Sequence, residues 1–289
     1  HTLGTMLLLA LVWGLSIPLT KLGLQDVPPL TLTAFRFGAA VPILFIIGYG
    51  RLRLPSRAVP SIAALGLLGI TVGNAAQTFG VQGTSASAGT IISATIPVLI
   101  VIFAAIRLRQ TVTGRQWFGL VAAFAGIALV AVGTGPGVDV ASRTTLAGVG
   151  WMLLSAVTIA FYYVWSAELV EQYGTLPVAT WNILAGFLAI LPLAFWEASH
   201  TSFEITARAL GVAAYLGIGV TAAGLLLWLH LLRVVPARIA ASVQNLQPVF
   251  GIAASAALFG DALGALFVVG VVVILSGLVL TIGNDGAES

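Results

Sequence analysis

The polar side chains that could bind a small molecule stand at helical spacing within otherwise apolar stretches of the chain. In the first half, Asn74 and Gln77 are three residues apart, and so are Thr90 and Ser93. Residues three apart share one face of a helix. Uncharged amide and hydroxyl groups of this kind donate and accept hydrogen bonds. The two pairs are therefore predicted to contribute to a binding site for a polar, uncharged or zwitterionic ligand.

The second half carries a comparable set of polar residues. One predicted helix has a polar and aromatic stripe at intervals of three, four and three residues, formed by Ser155, Thr158, Tyr162 and Trp165. Gln244 and Asn245 lie just before Pro248, as Ser93 lies just before Pro97. We interpret Thr158, Tyr162, Trp165, Gln244 and Asn245 as further substrate-binding candidates, and the two prolines as a mirrored pair of hinges.

Each of these candidates also has a structural interpretation. A threonine in a membrane helix commonly bonds the carbonyl four residues before it. Asn and Gln side chains can join neighbouring helices, and Tyr and Trp often lie at the membrane surface. A proline bends a helix whether or not the bend moves. The sequence leaves these alternatives open.

Several kinds of chemistry are excluded. The chain has no cysteine, no metal-binding motif and no phosphate-binding loop of the ATPase type. No carboxylate stands in the middle of a predicted span, and His230 has no obvious serine partner for hydrolysis. The sequence therefore predicts no catalytic residues, no metal site, no cofactor and no enzyme activity.

Composition identifies the solvent around most of the chain as lipid. Of the 289 residues, 59% are hydrophobic and only 7% are charged, and mean hydropathy is +1.09. Soluble domains carry about 25% charged residues. This excludes a soluble enzyme, a disordered chain and a coiled coil. The basic pI of about 9.7 reflects the distribution of Arg and Lys among loops, so no nucleic-acid partner is expected.

Long apolar runs predict an all-α integral membrane protein. A span needs about 20 apolar residues, and the runs are too long and too continuous for β-barrel strands. Ten transmembrane helices are expected, in the ranges 2–20, 30–49, 58–106 as two helices broken at the polar turn 82–89, 116–138, 144–167, 172–196, 209–232, 239–260 and 262–284. Arg36 alone stands well inside a span, about two turns from its outer end. Its side chain can either extend to the membrane surface or bind a substrate carboxylate, and the sequence leaves both interpretations open.

Basic residues collect on one side of these spans. With the N-terminus inside, the loops containing Arg51–Arg57 and Arg107–Arg115, together with Arg233 and Arg238, face the cytoplasm. Glu197 then falls in an outer loop. We expect both termini to be cytoplasmic and the protein to lie in the inner (plasma) membrane.

Glycine and proline positions repeat between the two halves. At an offset of 151 residues the matched pairs are Gly66 with Gly217, Gly73 with Gly224, Pro97 with Pro248, Gly119 with Gly270 and Gly126 with Gly277. Backbone geometry selects these residue types, so shared hydrophobicity does not explain the matches. We divide the chain into a first repeat, 1–138, and a second, 139–289.

Five spans in each half place the second repeat upside-down relative to the first. The charges agree, because Arg107 aligns with neutral Leu258 and Arg233 aligns with neutral Gln82. Arg36 aligns with neutral Leu184 at the offset of 148 that fits the start of each half. Two inverted five-helix repeats are characteristic of secondary transporters.

With these features the chain resembles the drug/metabolite transporter superfamily, its EamA branch and the YddG-type amino-acid exporters. The resemblance rests on the ten spans, the opening Trp13-Gly-Leu-Ser16, the Pro97-Val and Pro248-Val helices, and the glycines that follow them, Gly119 and Gly270. The acidic residue usual after the proline helix is kept at Asp261, whereas the first half has Gln110. The resemblance implies a cavity between helices 1, 3, 4, 6, 8 and 9, with helices 5 and 10 bracing the halves.

The sequence therefore predicts a transporter of small metabolites, first of all amino acids, aromatic ones included, working by alternating access in the direction of export. Drug or other metabolite efflux is the alternative within this class, and a membrane-embedded lipid-modifying enzyme or a passive channel the alternative outside it. The expected partners are the small-molecule substrate and membrane lipid, and the expected state is a monomer.

Overall fold

The computed structural model describes residues 2–107, 109, 114–133, 144–234, 243–261 and 263–282. Within these ranges the regular structure is entirely helical, with no strand. We number the helical stretches α1 (Leu3–Gly23), α2 (Pro29–Ile47), α3 (Ser56–Gln82), α4 (Ala86–Arg107), α5 (Gly114–Gly133), α6 (Leu146–Tyr173), α7 (Thr175–His200), α8 (Ala207–Trp228, continuing to Val234), α9 (Val243–Phe259) and α10 (Ala265–Ile282).

Seven of these stretches, α1–α4 and α6–α8, are long and apolar enough to cross a membrane, and α5, α9 and α10 contribute shorter apolar helices. The prediction of an all-α integral membrane protein is thereby confirmed at this level. Several boundaries differ from prediction. The largest extension is that of α6, which continues from the predicted end at 167 to Tyr173. Helix α1 continues past Lys21 and α7 continues past Glu197, because both charged side chains bond to backbone groups of other helices instead of facing a loop.

Several helices are irregular in the middle. The chain leaves the α-helix at Leu15 in α1 and at Ala94 and Thr95 in α4, shortly before Pro97. Helix α3 contains a π-helical segment at Gly66–Val72, and α8 contains one at Tyr215–Ala223. Such segments frequently occur at functional sites. Their positions indicate the middle of α3 and of α8 as candidate parts of a functional site.

Glycines let helices approach closely where the repeat matches occur. A Cβ added to Gly126 would lie 2.7 Å from the Gly270 carbonyl oxygen, and one added to Gly277 would lie 2.8 Å from the Gly119 carbonyl oxygen. Both contacts join α5 to α10. In a membrane, close backbone approach of this kind supplies much of the packing energy, because lipid offers no hydrophobic driving force between helices.

Charged side chains join four helix ends on one side of the molecule. These are the ends of α1 and α3 and the starts of α2 and α4. We call this the tied end of the molecule. Glu197 accepts hydrogen bonds from Leu30 N at 3.2 Å and from Thr31 N and Thr31 Oγ1 at 2.8 and 2.9 Å. Asp261 accepts from Ser87 N at 2.8 Å. Each carboxylate therefore sits at the N-terminus of a helix, where orphan N–H groups and the helix dipole favour negative charge.

Lys21 binds backbone carbonyls at the same end. Its Nζ donates to the carbonyls of Val81, Gln82 and Thr84, at 3.0, 3.0 and 2.7 Å. These carbonyls lie at and just after the C-terminus of α3, where positive charge is favoured. Opposite charges thus join both ends of the short α3–α4 turn to neighbouring helices.

Asp26 and Arg208 form a third tie at this end, and its pH dependence can be predicted. Hydrogen bonds from Arg208 and Thr206 lower the pKa of Asp26 to about 2. A depressed folded-state pKa means that the stabilisation is complete above the ordinary pKa of about 4 and is lost as pH falls towards 2. Asp26→Asn should therefore lower the melting temperature by a constant amount between pH 5 and 8, and by less below pH 4.

The measurement is thermal unfolding of the detergent-solubilised protein across this pH range. Glu204→Gln, which neutralises an exposed acid in the same region, is the matched control and should change little. A difference between Asp26→Asn and the parent that already disappears at pH 6 would contradict the prediction.

Candidate functional site

The two polar candidates on α3 are placed differently. Asn74 is buried, and its Nδ2 donates to the Ile70 carbonyl at 3.0 Å, within its own helix. It thereby satisfies a carbonyl of the π-helical segment. Gln77 is half-buried, and within the described part of the chain its amide has no hydrogen-bond partner. Gln77 is thus the residue of this pair with free hydrogen-bonding capacity.

The candidates on α4 divide in the same way. The Thr90 hydroxyl donates to the Ala86 carbonyl at 2.8 Å, four residues earlier. The Ser93 Oγ is buried and has no partner among the described atoms. Ser93 stands at the last residue before the break at Ala94 and Thr95, and the half-buried Pro97 follows in the next helical segment. A hydroxyl left unpaired beside a helix break is available to a ligand or to water.

The predicted stripe on α6 faces neighbouring helices for most of its length. The Thr158 hydroxyl donates to the Leu154 carbonyl at 2.9 Å. The Tyr162 hydroxyl accepts from Asn182 Nδ2 at 3.4 Å, and a Cβ on Gly69 would lie 2.4 Å from Tyr162 Cβ. These contacts place Thr158 and Tyr162 against α3 and α7.

Trp165 belongs to an aromatic and cationic cluster near the end of α4. Its ring stacks on Phe161 with centroids 4.0 Å apart, and Arg107 lies 5.3 Å from its centroid. Arg107 in turn pairs with Glu168 at 2.6 Å. The structure therefore gives Trp165 protein partners, in contrast to the free groups of Gln77 and Ser93.

Another face of α6 points to the space between α1, α3 and α4, and the sequence-based prediction missed it. Met152 is buried against Ile17, Val81 and Ala88, which lie on these three helices. Tyr163 follows Met152 by 11 residues, which is close to three turns and returns to the same face. Its side chain is 53% exposed. The spacing of 11 residues between Met152 and Tyr163 was the available signal, but the prediction selected the adjacent Tyr162 from its polar and aromatic stripe.

Arg36 also differs from its predicted setting. Its Nε donates to Thr221 Oγ1 at 3.2 Å, in the middle of the π-helical segment of α8. The guanidinium lies over the Phe37 ring, 5.6 Å from the centroid, and within electrostatic range of Tyr163. Of the two interpretations of Arg36, the structure does not show extension to the outer surface, because the hydroxyl of Thr221 holds the side chain between α2 and α8.

The remaining candidates lie on α9. The side chains of Gln244 and Asn245 are outside the described residues, and Pro248 is buried within the helix. Among the described residues no group of three or more His, Cys, Asp or Glu side chains could hold a metal ion. The candidates with free hydrogen-bonding groups, Gln77, Ser93 and Arg36, offer an amide, a hydroxyl and a guanidinium, which suit recognition of a polar small molecule.

Known proteins share this architecture. The model of the EamA-like transporter family matches the chain twice, over residues 2–132 and 146–283. An "Uncharacterized transporter" of Archaeoglobus fulgidus is 23% identical, with 93% of this chain and 94% of that protein covered. YvbV of Bacillus subtilis, also named an uncharacterized transporter, is 28% identical over 98% of this chain and 93% of its own.

Two further comparisons agree. YedA of Escherichia coli K12, named an "Uncharacterized inner membrane transporter", is 24% identical over 97% of this chain and 90% of its own. A solved crystal structure superposes with a TM-score of 0.62 at 20% identity, covering 99% of this chain and 98% of that one. At this identity the superposition establishes similarity of fold.

Proposed function

The chain belongs to the EamA-like transporter family, and we propose on this basis that it is a secondary transporter that moves a small metabolite across the inner membrane by alternating access. Membership in a family of membrane transporters agrees with its apolar helices. The single observation that supports the mechanism is that each half has a π-helical segment at a matching position, Gly66–Val72 in the first and Tyr215–Ala223 in the second.

Two inverted five-helix repeats, 1–138 and 139–289, are part of the proposal. The double match of the family model supports them. The π-helical segments do so as well, since Gly66–Val72 shifted by 151 residues becomes 217–223, the greater part of Tyr215–Ala223. At the same offset Gly119 matches Gly270 and Gly277 matches Gly126. The contact between Gly119 and Gly277 is therefore equivalent to the contact between Gly270 and Gly126, and the α5–α10 interface is symmetric. Self-exchange of this kind is expected at a two-fold axis.

We place the substrate between the repeats, where the free groups of Gln77, Ser93 and Tyr163 face the space inside α1, α3, α4 and α6. The proposed state is closed at the tied end and open at the opposite, cytoplasmic end. Its support is the dense hydrogen bonding of Glu197 and Lys21, together with the packing of Met152 on Ile17. Exchange of the two repeat conformations would open the tied end.

Amino acids, aromatic ones included, are the proposed substrates, and export is the proposed direction. Amide and hydroxyl donors with an aromatic wall suit a zwitterion with a sizeable side chain. Efflux of drugs or other metabolites is the second candidate, favoured by the resemblance to the wider superfamily. The mirrored Pro97 and Pro248 remain proposed hinges, and Gln244 and Asn245 remain proposed ligands on α9.

We expect reconstituted protein to move radiolabelled phenylalanine down its own concentration gradient without an imposed proton or sodium gradient. The physical reason is that the described spans hold no unpaired carboxylate in their middle that could bind a coupling ion: Glu197 caps α2, Glu168 pairs with Arg107, and Glu171 is exposed in the last turn of α6. The measurement is counterflow in liposomes, with protein-free liposomes as control. Uptake that requires an ion gradient would contradict the expectation.

The site itself is tested by Gln77→Ala. Removing one hydrogen bond to substrate should raise the substrate concentration at half-maximal transport rate several-fold, since a hydrogen bond contributes about 1 kcal/mol. Thr158→Val is the matched control, because the Thr158 hydroxyl bonds its own helix and should not contact substrate. If Gln77→Ala transports like the parent while Thr158→Val does not, the proposed cavity face is the wrong one.

A further inference from the structure

We propose that Arg36 is the anion-binding residue of the transport cavity and that the substrate carries a carboxylate or an equivalent anionic group. This inference rests on the proposed function and names the substrate class of that site. It is carried by three observations: the direction in which Arg36 reaches, the free N–H groups of its guanidinium, and the absence of a matching charge in the other repeat.

The side chain of Arg36 reaches towards the middle of the membrane. Its Cα lies seven residues into α2, or about 10 Å from the end where α2 begins. Thr221, which accepts from Arg36 Nε, lies 14 residues into α8, or about 20 Å from the same end of the bundle. A guanidinium that served only to reach lipid headgroups would point the other way.

Thr221 fixes one nitrogen and leaves the others free. The Thr221 hydroxyl donates to the Leu216 carbonyl at 2.9 Å, an i−5 bond inside the π-helical segment, and accepts from Arg36 Nε. Its hydroxyl proton is therefore committed, and its lone pair orients the guanidinium. Within the described residues no acceptor bonds either Arg36 Nη atom, and neither is sealed from solvent. A guanidinium presents these N–H groups as a planar fork suited to a carboxylate.

The protein supplies no counter-ion for this charge in the part that the structure describes. Glu197 and Asp261 cap α2 and α4, Asp26 bonds Arg208, and Glu168 pairs with Arg107. An ionisable side chain at membrane depth usually pairs or marks a substrate path. The other two described carboxylates, Glu171 and Glu204, are exposed and do not pair with Arg36. A bound anion is therefore the partner that suits the free N–H groups of Arg36.

The equivalent positions in the other repeat are apolar. Leu184 corresponds to Arg36 at the offset of 148, and Ile70 corresponds to Thr221 at the offset of 151. The charge and its orienting hydroxyl are thus both confined to one side of the proposed symmetry axis. A substrate with one anionic end would bind in a single orientation, with its other end towards the apolar side.

A labelling experiment tests the anion site without any assumption about substrate. The chain has no cysteine, so Tyr163→Cys creates a single reactive thiol near Arg36. We compare its modification rates with an anionic and a cationic methanethiosulfonate reagent. Adding Arg36→Gln should lower the anionic-to-cationic rate ratio several-fold, because the local positive charge is lost. Arg57→Gln removes the same charge from an exposed position in the first turn of α3 and should leave the ratio unchanged.

A transport experiment tests the substrate class. In liposomes, the parent should transport phenylalanine at least tenfold more efficiently than phenylalaninamide, which lacks the carboxylate but keeps the ring and the amine. Arg36→Lys should retain part of this preference and Arg36→Gln should lose it.

Two results would overturn the inference. One is an unchanged rate ratio in the labelling experiment, or no modification of Tyr163→Cys by either reagent. The other is equal transport of phenylalanine and its amide by the parent, which needs no variant to fold. Failure of the parent to transport any amino acid would instead refute the proposed substrates, and the rate ratio would still decide whether Arg36 forms an anion site.

Discussion

Glu197→Ala is expected to destabilise the protein by about 3 kcal/mol, which a fall in melting temperature of the detergent-solubilised protein will report. The substitution removes a buried carboxylate that accepts three hydrogen bonds from Leu30 and Thr31. Two backbone N–H groups at the start of α2 and one hydroxyl would then be buried without a partner. Each such group costs about 1–3 kcal/mol, partly relieved when water enters.

Glu197→Gln separates the charge from the hydrogen bonds. Its amide oxygen can still accept at the start of α2, while the negative charge that complements the helix dipole is lost. An intermediate loss of stability is expected. Glu204→Gln, at an exposed position after α7, is the matched control and should melt like the parent. If Glu197→Ala also melts like the parent, Glu197 does not cap α2 in the membrane protein.

Gly126→Ala should destabilise the packing of α5 on α10 by about 2 kcal/mol, the usual range for overpacking being about 1–3 kcal/mol. The added Cβ would lie 2.5 Å from Ile274 Cγ1 and 2.7 Å from the Gly270 carbonyl oxygen. The isoleucine can turn aside, but the backbone oxygen cannot move without shifting α10. Helix propensity favours alanine by about 1 kcal/mol, and the backbone clash outweighs it.

Gly150→Ala is the matched control, because a Cβ there meets nothing within 4 Å on α6. Only the propensity gain applies, so this variant should be as stable as the parent or slightly more so. The proposed two-fold relation adds a sharper test. Gly277→Ala, whose Cβ would lie 2.8 Å from the Gly119 carbonyl oxygen, should cost about as much as Gly126→Ala. Markedly unequal losses would count against a symmetric α5–α10 contact.

Both predictions concern contacts that join parts of the chain far apart in sequence. Glu197 lies 166 residues from Thr31, and Gly126 contacts Gly270 of the other half. They explain why an apolar chain with few hydrogen-bonding side chains holds one arrangement of helices: small residues set the approach distance, and a few buried charges fix the helix ends.

Composition and spacing were sufficient to determine the lipid environment and the helical class of this protein, and the family was indicated by the resemblance of its motifs. Lipid requires every backbone group to be bonded within the chain, so 59% hydrophobic residues in long unbroken runs leave little alternative to helices. Glycine and proline matches between the halves were visible without coordinates, because those residues are selected by backbone geometry. The turn between α3 and α4 was also predicted from its small polar residues, and the helices end and begin within it at Gln82 and Ala86.

Only the tertiary structure decided which polar groups are free. Asn74 and Gln77 are chemically alike in sequence, yet Asn74 is engaged by the carbonyl of Ile70, which a π-helical turn leaves available, whereas Gln77 has no partner among the described residues. Tyr162 and Tyr163 differ by one position, a step of about 100° around the helix. The Tyr162 hydroxyl bonds Asn182 on α7, whereas Tyr163 is exposed and lies within electrostatic range of Arg36. The sequence left two interpretations of Arg36 open, and the hydrogen bond to Thr221, 185 residues away, holds its side chain between α2 and α8. Hydrogen bonds between distant helices depend on how the helices pack, and a local pattern of residue types does not predict that packing.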